Sequence, residues 1–107
     1  MKHILFVCSQ NKLRSPTGEC VFANYPGVET RSAGLNNDAE VSLGVEDVLW
    51  ADIIFVMEQK HKKKLRKAFK EHMTNQRVIC LGIPDNYDYM DDELVKIFES
   101  SVPQFLI

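Results

Sequence analysis

The chain has 107 residues, 45% of them hydrophobic, with 13 Lys and Arg against 15 Asp and Glu and a net charge of −2. That length predicts one domain, with a core that needs no covalent staples. The charge balance gives no case for a nucleic-acid-binding or membrane-binding protein, and no run approaches the ~18 apolar residues of a transmembrane helix. Three cysteines without metal-ligand spacing argue against both a disulfide scaffold and a zinc site.

Strand and helix patterns alternate along the chain. Lys2–Val7 reads as the first strand, through the apolar run Ile4-Leu5-Phe6-Val7. The N-terminus leads into this strand without a signal peptide's long apolar segment and cleavage site, so a cytoplasmic location is expected. Residues 15–24 read as a helix with Pro16 in its first turn, and Tyr25-Pro26-Gly27 as a turn. A short second strand spans Val28–Ser32, and residues 34–40 form a polar loop. Val41, Val45, Val48 and Leu49 recur at helical spacing and predict a helix over Val41–Trp50. Ile53–Met57 is a third strand and Glu58–His72 a third helix. Val78–Leu81 is a fourth strand, and Asp91–Ser100 the last helix.

Strands alternating with helices imply an α/β architecture, a doubly wound four-stranded parallel sheet with helices on both faces. In such sheets the site lies beyond the C-terminal strand ends, at the topological switch point. Cys8, Met57 and Leu81 sit at those ends.

Cys8-Ser9-Gln10-Asn11-Lys12-Leu13-Arg14-Ser15 occupies the first strand-to-helix turn. A thiol, five residues and a guanidinium on such a turn make an anion trap with a nucleophile at its floor. Loop N–H groups and the helix N-terminus supply positive potential. Arg14 adds a planar fork for two oxygens of a phosphate. The same field favours a thiolate at Cys8. Asn11 suits a tight cradle, since Asn tolerates left-handed backbone and bonds nearby backbone groups.

Cys-x5-Arg-Ser-Pro after a first strand resembles the low-molecular-weight protein tyrosine phosphatases. Further markers follow in that family's order. They are Arg31-Ser32-Ala33-Gly34, then Ala51–Met57 with His61 after it, then Ile83-Pro84-Asp85-Asn86-Tyr87 where the family carries its acid loop. The sequence departs from the pattern at Gln10, where Gly is usual, at Leu13, where a second Cys is common, and at Asn86, where Pro follows the acid. The chain is also short for the family, consistent with a compact, divergent branch.

The resemblance implies a flavodoxin-like fold and hydrolysis of a phosphomonoester through a phosphocysteine, without a cofactor or metal. It implies Cys8 as nucleophile, Arg14 with the backbone of residues 9–14 (Ser9, Gln10, Asn11, Lys12, Leu13, Arg14) as the phosphate cradle, Ser15 as the hydroxyl that steadies the thiolate, and Asp85 as the general acid. Asp88 and Asp91 are the alternatives for the acid. Asp88 reads as a turn residue, and Asp91 as a cap of the last helix, whose N-terminus Asp92 and Glu93 favour. Tyr87 and Tyr89 are candidate walls for an aromatic ring. The expected partners are a phosphotyrosine protein or aryl phosphate and inorganic phosphate or other oxyanions, with no nucleic acid and no membrane.

Other readings share the cradle. A thioredoxin-coupled arsenate reductase needs a close pair of downstream cysteines, and Cys80 has no companion near it. A small-molecule phosphatase or a non-catalytic phosphate-binding module stays open, though a candidate acid beside the cradle argues against the latter. Cys20 and Cys80 are expected as small buried hydrophobes. The alternative is a redox partner for Cys8, with Cys80 the better placed. The run Lys60, Lys62, Lys63, Lys64, Arg66, Lys67 and Lys70 reads as the solvated face of a helix whose inner stripe is His61, Leu65, Ala68, Phe69 and His72. The sharper reading of that run is a docking surface for an acidic partner. His3, His61 and His72 are scattered and expected to be structural.

Overall fold

The computed structural model describes residues 1–106. Four strands, β1 (Lys2–Cys8), β2 (Val28–Gly34), β3 (Ile53–Val56) and β4 (Arg77–Cys80), lie in the order β2-β1-β3-β4, and every pairing is parallel. The helices are α1 (Arg14–Phe22), α2 (Val45–Trp50), α3 (Gln59–Ala68) and α4 (Asp92–Ser101). The doubly wound parallel sheet expected from the alternation is therefore present.

β1 explains why the first apolar run is continuous rather than alternating. Ile4, Phe6 and Cys8 point into one core with Phe22, Phe55, Leu94 and Phe98, beneath α1 and α4. Leu5 and Val7 point into the other with Val48, Ile54, Val56 and Leu65, beneath α2 and α3. A central parallel strand has no wet face, so every position is apolar. Phe6 stacks on Phe22 and Phe55 and meets Phe98 edge-on, which ties α1, β3 and α4 to one ring.

Three expectations change in detail. α2 begins at Val45, not Val41. Gly34 donates to the carbonyl of Val41 and accepts from the N–H of Leu43, both at 2.8 Å, so residues 41–43 run extended beside the end of β2. Val41, Val45 and Leu49 are consequently exposed, and of that stripe only Val48 is buried. α3 stops at Ala68 and a single 3₁₀ turn covers Lys70–His72. His61 and Leu65 are buried, Phe69 and His72 half-buried, and Ala68 is exposed. Cys20 is exposed on α1 rather than buried, and Cys80 is half-buried. Asp91 does cap α4, its Oδ1 accepting the N–H of Glu93 at 2.9 Å.

Candidate active site

The loop between β1 and α1 is shaped by where its backbone groups go. The carbonyls of Cys8, Ser9 and Gln10 turn outward and accept the N–H groups of Leu35, Asn36 and Glu40 at 2.9, 3.0 and 2.9 Å. Among the described residues, the N–H groups of Ser9, Gln10, Lys12 and Leu13 have no protein acceptor, which leaves them free to meet an anion. The segment after β2 thus serves as the outer wall against which the loop is pressed. Gly34 allows that approach: a Cβ there would lie 2.6 Å from the Ser9 carbonyl oxygen. The reversal itself is made by Asn11, at φ 57. Gln10 keeps a negative φ, so this loop closes without glycine at that position.

Cys8 is buried at the floor, with 3% of its surface exposed. Its Sγ accepts the N–H of Asn11 at 3.2 Å and lies 2.9 Å from Ser15 Oγ. The direction of that second contact follows the charge on the sulfur, and the surrounding hydroxyls show which protons are already committed. Asn11 Nδ2 donates to Ser15 Oγ and to Ser32 Oγ, each at 2.9 Å. Ser32 sends its own proton to Glu19 Oε1 at 2.5 Å. Among the described residues Ser15 Oγ has no other acceptor, so its proton goes to the sulfur when Cys8 is a thiolate. Two donors aimed at Sγ are the surroundings that a thiolate requires.

Arg14 is 3% exposed and held from behind. Its Nη1 donates to Glu58 Oε2 at 2.5 Å and to the Ile83 carbonyl at 2.9 Å. This leaves the Nε–Nη2 edge, the pair that matches two phosphate oxygens. Glu58, directly after β3, titrates below its ordinary value, chiefly because of the hydrogen bond from Arg14. Ile83 reaches Arg14 because Gly82, at φ 68, turns the chain back over the site after β4. Asp85, two residues on, brings Oδ1 to 3.7 Å from Arg14 Nε.

Behind the loop lies His61, in the first turn of α3 and 2% exposed. Burial, and then the nearby Arg14 charge, push its pKa down to about 4, so the ring is neutral at pH 7. Its Nδ1 accepts the N–H of Glu58 at 3.1 Å, so the ring proton sits on Nε2 and is donated to Ser9 Oγ at 2.9 Å. Ser9 then has its hydroxyl proton free to point into the cavity it lines.

That cavity, about 120 Å³, is lined by Cys8, Ser9, Gln10, Lys12, Leu13, Arg14 and Asp85. It is sized for a phosphoryl group. A larger, open cavity of about 770 Å³ shares its Lys12 wall and is lined also by Asn11, Glu19, Arg31, Glu40, Val41 and Tyr89. Size does not mark the candidate chemistry: Cys8 and Arg14 line the smaller of the two. Asp85 alone of the three candidate acids lines it. Asp88 makes a turn, its carbonyl accepting the Asp91 N–H, and the Asp91 carboxylate is spent on its cap. Tyr87 is half-buried against the first core, whereas Tyr89 is exposed on the larger cavity. The phenol of Tyr89 titrates above its ordinary value, first through a hydrogen bond with Cys20.

Glu58, Glu19 and the roles of Ser32 and His61 escaped the sequence reading. Glu58 follows Met57, and a strand end at the switch point was the available signal. For Glu19 there was none.

The cradle, the fork and the sheet order together define the fold of the low-molecular-weight protein tyrosine phosphatases, and solved structures bear this out. The chain is similar to "YwlE arginine phosphatase" from Geobacillus stearothermophilus, with 23% identity and a TM-score of 0.78, over 99% of this chain and 94% of that one. It is similar to SP-PTP, a low molecular weight protein tyrosine phosphatase from Streptococcus pyogenes, with 19% identity and a TM-score of 0.80, over 99% and 91% of the two chains. The tyrosine phosphatase Wzb from Escherichia coli K30, solved with phosphate, gives 20% identity and a TM-score of 0.76 over 97% and 95%. No family model and no curated protein matches the chain. No helix among the described residues is long and apolar enough to cross a membrane.

Proposed function

We propose that this chain is a cysteine-dependent phosphomonoester hydrolase, acting on phosphotyrosine in proteins through a phosphocysteine. The carrying observation is Cys8 at the floor of a phosphate-sized cavity, with the Asn11 N–H and the Ser15 hydroxyl on its sulfur and the Nε–Nη2 edge of Arg14, approached by Asp85 at 3.7 Å, beside it. Similar structures named as protein tyrosine phosphatases support the reading.

The chemistry follows from the placement. The cradle N–H groups, the Ser9 hydroxyl and the Nε–Nη2 edge of Arg14 hold the three non-bridging oxygens. The sulfur attacks phosphorus in line, an S–P bond forms, and the P–O bond to the substrate breaks. The departing oxygen takes a proton from Asp85. Asp85, now a carboxylate, removes a proton from water, which attacks phosphorus and releases phosphate. Ser15 and the Asn11 N–H receive the sulfur charge again. Donors set in advance need not reorganise as charge moves, which is where such sites gain most of their rate. Tyr89 and the larger cavity would take the body of the substrate.

The test is steady-state hydrolysis of a phosphotyrosine peptide, a phosphoserine peptide, phosphoarginine and p-nitrophenyl phosphate, beside a thioredoxin-coupled arsenate assay. The reading expects turnover of the two aryl esters and loss of all turnover in Cys8→Ser. A Cys8→Ser enzyme that keeps a tenth of its kcat would defeat the mechanism. Preference for phosphoarginine would move the substrate class and leave the cysteine chemistry in place.

A further inference from the structure

Charge is unevenly distributed over this molecule. Seven of its 13 basic residues fall within residues 59–70, which contain no Asp or Glu, so the other ninety-five residues carry a net −9. α3 and the turn after it present Lys60, Lys63, Lys64, Arg66, Lys67 and Lys70 as exposed side chains. Despite the surplus of carboxylates elsewhere, the fold neutralises almost none of them. Lys60 approaches Glu58 at 3.8 Å and Lys64 donates to Asn36 Oδ1 at 2.9 Å. Among the described residues, Lys63, Arg66, Lys67 and Lys70 have no acidic partner.

Helix physics does not account for the pattern. Cations in the last turn suit the helix dipole, which covers Arg66 and Lys67. The first turn, however, holds no acid and does hold Lys60. Pairs such as Lys60–Lys63, Lys63–Lys67 and Arg66–Lys70 stand three or four residues apart, the spacing at which like charges destabilise a helix. The face also begins at the site: Glu58, which caps α3, bonds Arg14, and His61 in its first turn bonds Ser9.

We propose that this face docks an acidic stretch of polypeptide flanking the phosphoresidue of the substrate, a step that rests on the phosphatase reading above. The face extends about 15 Å along the helix, enough for a short run of carboxylates. Such a run meets only α3, whereas a long polyanion such as duplex nucleic acid would also meet the acidic remainder. Nor does the face carry an aromatic platform for bases, as its one aromatic, Phe69, is half-buried. Exposed ion pairs contribute about 1.5- to 5-fold each, so three or four give a preference on the order of tenfold.

The experiment compares two phosphotyrosine peptides of the same core, one flanked by Glu on both sides and one by Gln, with p-nitrophenyl phosphate as a substrate that has no flanks. Expected are a tenfold higher kcat/KM for the acidic peptide, its collapse between about 0.05 and 0.5 M salt, and its loss in Lys63→Glu/Lys67→Glu/Lys70→Glu. Lys63→Gln/Lys67→Gln/Lys70→Gln should lose part of it. Hydrolysis of p-nitrophenyl phosphate should change less than twofold in both variants. Equal kcat/KM for the two peptides overturns the proposal, as does a preference that survives charge reversal. Stronger inhibition by a duplex oligonucleotide than by the acidic peptide at physiological salt overturns it in favour of nucleic acid. An enzyme that hydrolyses p-nitrophenyl phosphate without preferring the acidic peptide refutes docking alone, whereas one that hydrolyses nothing refutes both readings.

Discussion

Acid should destabilise this fold through one buried ring. His61 is neutral in the folded protein, with its pKa pushed from 6.5 to about 4, first by burial and then by the charge of Arg14. In the unfolded chain it takes a proton near 6.5. Between those two values the unfolded state binds more protons, so stability rises with pH. It is complete above pH 6.5, falls as pH drops towards 4, and is lost no further below that. At about 1.4 kcal/mol per pH unit, the part lost between pH 7 and pH 5 is about 2 kcal/mol. Glu58 is held below its ordinary 4.5, so its contribution is lost only at pH values under this window. The assay is urea unfolding of the wild type and of His61→Gln at both pH values. With a slope of about 1–2 kcal/mol/M, the wild-type midpoint should fall by roughly 1–2 M more than that of the variant. Equal acid sensitivity in the two proteins would refute the reasoning, because it would mean that the ring is protonated freely in the native state.

The remaining predictions concern the chemistry. Asp85→Asn should slow a phosphotyrosine peptide ~10²–10⁴-fold and p-nitrophenyl phosphate, with its better leaving group, far less; Asp91→Ala should leave kcat intact and lower stability by about 1 kcal/mol. The reverse pattern would shift the acid to Asp91. Ser15→Ala removes a hydrogen bond to a charged sulfur, worth about 1.5–3 kcal/mol, and should lower kcat roughly 10- to 100-fold with little change in phosphate inhibition; a kcat within twofold of wild type would show that the sulfur does not depend on Ser15. Gly34→Ala places a methyl 2.6 Å from the Ser9 carbonyl oxygen. It should weaken phosphate inhibition and cost about 1–3 kcal/mol in stability, and unchanged values of both would separate the loop from the β2 wall.

What the sequence determines here is whatever depends on neighbours in the chain. The apolar runs of β1 and β3 signal buried parallel strands because period and burial are local patterns. The spacing from Cys8 to Arg14 sets a nucleophile and a guanidinium on one turn, since five residues cannot take them far apart. Asp91 before Asp92 and Glu93 is legible as a cap for the same reason, its partner being two residues away. The tertiary structure decided what joins residues distant in sequence. Arg14 meets Glu58 across 44 positions, and Ser9 meets His61 across 52. Those contacts exist only because β1 and β3 are adjacent and parallel, which brings the segments after both strands to one edge of the sheet. The apolar stripe from Val41 to Leu49 misled in the opposite direction, because residues 41–43 pair beside Gly34 and never enter a helix. Cys20 likewise lies on the outer side of α1, a placement set by which side of that helix the sheet covers. Local pattern therefore specified the candidate nucleophile and its loop. Strand order, a property of the whole sheet, specified the residues that hold the fork, fix the Ser9 proton and press the loop into shape.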